Sequence, residues 1–232
     1  AHTQLGIFGA ASKIAMIMSM ITQAFRYAYE PFVFGKARDK DNKETYARAM
    51  KFFIIFTLLA FLVVMGYMDV LRHIIGRDYW VGLEVVPIVM AGGIMTGVYF
   101  NLSFWYKLID KTIWGAYFSG IGCAVIIGIN VIFVPQYGYI ACAWAGFLGN
   151  ATAMVLSYIV GQRKYPIDYP LKSIGVYVLI GGLFFAIISY TNANLSVAAA
   201  LGINTLVIIL FIAHVLYHDF PLQQLRKRFG KK

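Results

Sequence analysis

The sequence predicts an all-α, polytopic helix bundle of about seven membrane spans. Two observations carry this. Of the 232 residues 60% are hydrophobic and only 13% charged, with a mean hydropathy of +0.72, whereas soluble domains carry roughly 45–50% apolar and about 25% charged residues. The apolar residues also gather into runs of about 20, the length that crosses a hydrocarbon core of roughly 30 Å at 1.5 Å per residue. Strands of a membrane barrel would alternate apolar and polar positions over about 10 residues, and these runs do not alternate.

In chain order, the first span covers about 5–28 and carries Lys13. A signal peptide needs a basic start and an uncharged core, so this run is not one. The chain opens Ala-His-Thr-Gln rather than with methionine and is expected to begin partway through a longer protein. The charged connection 29–50 contains Asp41-Asn42-Lys43-Glu44, a capping box that starts a helix running into the second span, about 51–71. The third span, about 84–106, holds Gly93 and Gly97, a spacing that permits close helix approach. Spans at about 113–134 and 139–160 are joined by a predicted turn, Pro135-Gln136-Tyr137-Gly138. Small residues recur every fourth position in the latter span, at Ala141, Ala145 and Gly149 and at Gly138, Cys142 and Gly146. The last two spans, about 173–190 and 195–217, are joined by a predicted turn at Thr191-Asn192-Ala193-Asn194, and 218–232 forms a basic tail. Aromatic residues at span ends (Tyr79, Trp80, Trp105, Tyr106, Trp114, Tyr137, Tyr139, Tyr165 and Tyr169) read as an interfacial belt. Cys123 and Cys142 read as small buried thiols.

Threading seven spans alternately puts every Lys and Arg except Lys13, Arg26, Arg72 and Arg77 on one side of the membrane. By the positive-inside rule that side is cytoplasmic, with the C-terminus, and the residue-1 end is outside. One miscounted helix would destroy this agreement, so it supports the count as well as the topology. The formal charge of +10 is thereby explained by insertion topology and attraction to anionic lipid, not by nucleic-acid binding.

The first span is the most informative. At 100° per residue Ser12, Ser19, Gln23, Arg26 and Glu30 fall within roughly a 60° arc, with Thr22 beside it. A membrane helix turns such a stripe toward a partner helix or a watery cavity. Lys13 lies about 80–100° from the stripe and about 12 Å beneath Leu5. Centring a lysine in lipid costs roughly 2.5–3.5 kcal/mol, so an internal cationic cavity attracting an anionic substrate is the functional expectation; pairing with a carboxylate on a helix outside this sequence is the plainer one. Asn101, Asn130 and Asn150 suit either a polar path or interhelical hydrogen bonds. The four histidines show no metal-ligand spacing, and there is no phosphate-cradling glycine loop or paired acidic loop for a sugar nucleotide. No enzyme, metal or cofactor is expected.

Several phrases resemble a known family: Leu5-Gly6-Ile7-Phe8, Ala11-Ser12-Lys13-Ile14-Ala15, Gln23-Ala24-Phe25-Arg26-Tyr27 and Glu30-Pro31-Phe32, then Tyr46-Ala47-Arg48, Val86-Pro87-Ile88 and Tyr99-Phe100-Asn101-Leu102-Ser103-Phe104-Trp105-Tyr106-Lys107, with Asp110-Lys111-Thr112, Pro135-Gln136-Tyr137-Gly138-Tyr139 and Ala143-Trp144-Ala145. Over roughly residues 5–175 the chain resembles the C-terminal half of bacterial polysaccharide (O-antigen type) flippases of the multidrug/oligosaccharidyl-lipid/polysaccharide exporter superfamily. The resemblance implies about 12–14 helices in two pseudo-symmetric lobes around a central, often cationic, cavity. Alternating access there would move a lipid-linked oligosaccharide from the inner to the outer leaflet of the bacterial cytoplasmic membrane. It implies that Lys13 and Arg26 contact the substrate's phosphate or acidic sugars, with Gln23 and Asn101 as further polar liners and Glu30 beside them. The implied partners are the lipid-linked substrate, membrane lipids, and a glycan polymerase or glycosyltransferases. Two alternatives stand beside it. One is a cation-coupled, multidrug-type exporter, disfavoured because the first span is net cationic. The other is a non-transporting membrane scaffold of a glycan assembly complex.

Overall fold

The computed structural model describes residues 2–35 and 42–219, and within them the chain is all-α. The helices are α1 (His2–Gly35), α2 (Asn42–Gly66), α3 (Met68–Leu71), α4 (Val86–Leu102), α5 (Phe104–Leu108), α6 (Ile113–Tyr137), α7 (Tyr139–Lys164), α8 (Leu171–Asn194) and α9 (Val197–Asp219). Two 3₁₀ segments, Arg72–Ile74 and Arg77–Val85, lie between α3 and α4. Seven segments are long and apolar enough to cross a membrane, the third running from Arg77 through Leu108.

Contacts between distant segments fix which ends lie together. Lys107 donates to Glu30 near the end of α1 at 2.6 Å, Lys51 early in α2 pairs with Asp219 at the end of α9, and the Lys43 ammonium sits 4.6 Å from the centre of the Tyr165 ring. At the opposite end the Tyr139 hydroxyl donates to Glu84 at 2.5 Å, and Asn204 donates to the Gly66 carbonyl at 3.0 Å. The described basic connections therefore share one end of the bundle, as seven alternately threaded spans require. Lys36, Arg38, Lys40, the Asp41 of the capping box and the tail from Phe220 onward lie outside the described residues.

Helix α4 is central, packing on α1, α2 and α7; α6 lies outside α7, while α8 and α9 pack on α2. Small residues set these crossings. A Cβ on Gly93 would stand 3.0 Å from Met18 Cγ, and one on Gly149 would stand 2.8 Å from the Gly122 carbonyl oxygen. The α1–α4 and α6–α7 pairs thus approach closely because those positions carry no side chain. The main core joins Ala11, Ile14 and Met18 of α1 to Met90 and Ile94 of α4, and runs on through Leu62 to Ile188 and Phe211.

The structure corrects several sequence expectations. Pro135-Gln136-Tyr137 is the last turn of α6, not a loop. A missing N–H in a final turn removes a single backbone bond, and Gly138, at φ 59°, both closes α6 by donating to the Val134 carbonyl and makes the turn alone. Thr191–Asn194 is likewise the end of α8, where the Asn194 amide donates to the Tyr190 carbonyl. Of the expected Gly138-Cys142-Gly146 packing strip, Gly138 is closely approached by the Gln4 side chain, whereas nothing lies within 4 Å of a Cβ built on Gly146. Trp105 and Tyr106 are not belt residues: both are buried with Phe118 and Ala153, and the Trp105 indole donates to Ser157 at 3.3 Å. Gly161 makes room for that indole, whose ring atoms lie 2.9 Å from where its Cβ would be. Cys123 is exposed on α6, not buried, and both cysteines are free thiols.

Candidate functional site

Helix α1 organises the site. Its inner face, with Ala11, Met18 and Val33, is fully buried. Its outer face is open along its length through Gly9, Lys13, Met16, Ser19, Met20, Gln23 and Tyr27. The open face of α6, by contrast, presents Ile121, Ile127, Val131 and Ile132, and α6 carries no charged residue at all. An apolar open face suits lipid. One bearing an ammonium, a hydroxyl and an amide requires water or protein against it.

The five sequence-predicted residues separate into three groups. Lys13 lines a cavity of about 600 Å³ whose walls include Gly6, Gly9, Leu71, Ile74 and Tyr79. Glycines 6 and 9 open it on the α1 side, and the short helical segments after α2 form the other wall. Gln23 is exposed on the same open face, about ten residues or roughly 15 Å further along the helix. Arg26, Glu30 and Asn101 form the third group, near the basic end. Glu30 accepts from Lys107 at 2.6 Å and lies 3.8 Å from Arg26 Nε, too far for a hydrogen bond. The Arg26 guanidinium sits 5.0 Å from the centre of the Phe100 ring and 5.7 Å from that of Tyr27. One carboxylate between two cations leaves this cluster net positive. Asn101 is buried and donates through Nδ2 to the Gly97 carbonyl at 3.0 Å. It faces the α1–α4 contact, not the open face of α1.

A second feature was not legible in the sequence. Between α2, α4, α7 and α8 lies a cleft of about 780 Å³ lined almost wholly by apolar side chains, among them Leu58, Ile88, Val98, Phe147, Val178 and Phe185. Tyr158 and Tyr169 line it too, with ring centres 6.1 Å apart. Burial pushes the Tyr169 hydroxyl above its ordinary range, with Tyr158 and Tyr165 adding to the shift, so it stays a neutral donor at physiological pH.

Sequence reasoning also missed three partners. Lys107 counted only as a loop cation. Thr191 and Asn204, polar residues within apolar runs, form a buried network: Thr191 donates to Asn204 Oδ1 at 2.6 Å, and Asn204 Nδ2 donates to Asn192 Oδ1 at 2.8 Å and to the Gly66 carbonyl. Their signal was a hydrogen-bonding side chain at mid-span, the same kind that drew attention to Asn101. Among the described residues no cluster of His, Cys, Asp and Glu is arranged to hold a metal ion.

Length and hydropathy of its helices make this a multi-pass α-helical membrane protein. No family model, curated protein or solved structure matches the chain.

Proposed function

We propose that this chain forms one lobe of a two-lobe transporter that carries a lipid-linked oligosaccharide across the bacterial cytoplasmic membrane by alternating access, its basic end in the cytoplasm. The observation that carries the reading is the open face of α1. In an otherwise lipid-compatible bundle it holds Lys13 over a sizeable cavity, with Ser19 and Gln23 further along. A lipid-linked sugar has an anionic phosphate linkage, polar rings and a long apolar chain, and needs an environment for each. Lys13 supplies the counter-charge, the hydroxyl and amide positions suit the sugars, and the apolar cleft beside α2 and α8 suits the chain. The proposed partners are the lipid-linked substrate, bilayer lipids and the glycan polymerase or glycosyltransferases that act on either side of the step. A small-cation exporter is disfavoured, because the described open face of α1 offers no carboxylate for the cation.

The test is a leaflet-exchange assay on the full-length protein in proteoliposomes, using a polyprenyl-diphosphate oligosaccharide with a fluorophore on its sugar and a membrane-impermeant quencher outside. The protein is expected to raise the quenchable fraction from about half toward completion, and Lys13→Ala to slow this at least about tenfold, as when one partner of a desolvated charge pair is removed. Lys13→Arg should retain most of the rate. Exchange no faster than in protein-free vesicles would overturn the transport reading and favour the scaffold.

A further inference from the structure

Four buried polar atoms without a hydrogen-bond partner come from residues around one small cavity: Thr22 Oγ1, Arg26 Nε and Tyr29 Oη on α1, and Asn101 Oδ1 on α4. Thr22, Tyr29 and Asn101 are each more than nine-tenths buried. The cavity has about 10 Å³ open to the centre of a water molecule, close to the minimum that holds one. Leaving a buried polar atom unpaired costs roughly 1–3 kcal/mol, so four from residues around one cavity point to a common ligand.

Their chemistry selects it. Arg26 Nε–H only donates. Asn101 Oδ1 only accepts, and the amide cannot be turned over because its Nδ2 already donates to the Gly97 carbonyl. The Thr22 and Tyr29 hydroxyls do either. An anion would leave Asn101 Oδ1 unpaired, and a metal ion would be repelled by Arg26. A single water accepts from Arg26 and one hydroxyl while donating to Asn101 and the other hydroxyl. We infer that one structural water, with four partners, is bound at the junction of α1, α2 and α4, where it completes the hydration of Arg26 inside the bundle. This assignment is independent of what the chain transports.

The test is X-ray radiolytic footprinting of the full-length protein in lipid nanodiscs, in which water held beside a side chain generates the oxidant that labels it. Phe53 and Phe211 make a matched pair, since both are fully buried and only Phe53 lines the cavity. Phe53 and Tyr29 are expected to be oxidised and Phe211 spared, with ¹⁸O from bulk water entering the label only slowly. Thr22→Val with Tyr29→Phe removes both hydroxyls at nearly constant volume and leaves the water two partners, the fewest that hold one; labelling of Phe53 should fall about threefold or more. Phe53 as unreactive as Phe211 would show a dry cavity and overturn the proposal. Immediate ¹⁸O exchange would overturn it as well, by showing an open channel. A double variant that keeps its thermal midpoint and full Phe53 labelling would overturn it in turn.

Discussion

Replacing Asn204 by leucine tests what holds α8 and α9 against α2. Asn204 has no exposed surface. It accepts from Thr191 at 2.6 Å, donates to Asn192 at 2.8 Å, and donates to the carbonyl of Gly66, the last residue of α2, at 3.0 Å. Leucine keeps its branching and number of heavy atoms but makes none of these bonds. Thr191 has a fallback in the Ile188 carbonyl of its own helix, so the loss falls on Asn192 Oδ1 and the Gly66 carbonyl. Interhelical hydrogen bonds in membranes average about 0.6 kcal/mol, with a maximum near 1.7, and an unpaired buried acceptor costs roughly 1–3 kcal/mol. The expected destabilisation is therefore about 2 kcal/mol, or roughly 4–8 °C in thermal midpoint for a chain of this size. The assay is thermal unfolding of purified protein in detergent, with Asn194→Leu as control. Asn194 is exposed and its amide bonds only the Tyr190 carbonyl of its own helix, so it should shift the midpoint by less than about 1 °C. Equal midpoints for Asn204→Leu and the parent protein would refute the network as a clamp.

Three further outcomes follow from the packing and charges. Gly149→Val places a side chain against the Gly122 carbonyl and Ile126, whose Cγ1 would lie 2.3 Å from the new Cβ, and should cost about 1–3 kcal/mol in the same unfolding assay. Glu30→Gln removes the carboxylate between Arg26 and Lys107, which are partly exposed like Glu30 itself. A pair of that kind contributes about 0–1 kcal/mol, so stability should hardly move. An anionic sulfonated dye bound about 8 Å away should instead bind roughly twofold tighter by titration, from about 0.5 kcal/mol of relieved repulsion. The Tyr169 hydroxyl holds its proton more tightly in the folded state than the unfolded value near 10. Above that pH the unfolded chain loses the proton first, so stability falls as pH rises. Tyr169→Phe should therefore lose less of its thermal midpoint than the parent between pH 9 and pH 11.

Why some of this could be read from sequence and some not has a physical cause. Apolar runs of bilayer length and the placement of Lys and Arg depend on each segment's own transfer free energy, which is additive along the chain; seven spans and their threading were legible for that reason. The polar stripe of α1 was legible too, because one helix's faces follow from its own 100° period. Whether a polar group is paired depends on what another helix brings. Glu30 is neutralised by Lys107, far along the chain, whereas Asn101 gives its amide to the Gly97 carbonyl of its own helix and its oxygen has no hydrogen-bond partner among the described residues. Trp105 is buried inside the bundle because Gly161 makes room for its indole. The ends of α6 and α8 escaped for a local reason: Pro, Thr and Asn signal a turn by composition, yet a final helical turn satisfies the same groups. Sequence alone therefore determined that this is a seven-span helical membrane chain with a cationic first helix. Only tertiary packing decided which of its polar groups are spent on one another and which, like Lys13, are left exposed beside a cavity, because pairing is a property of two helices and not of one.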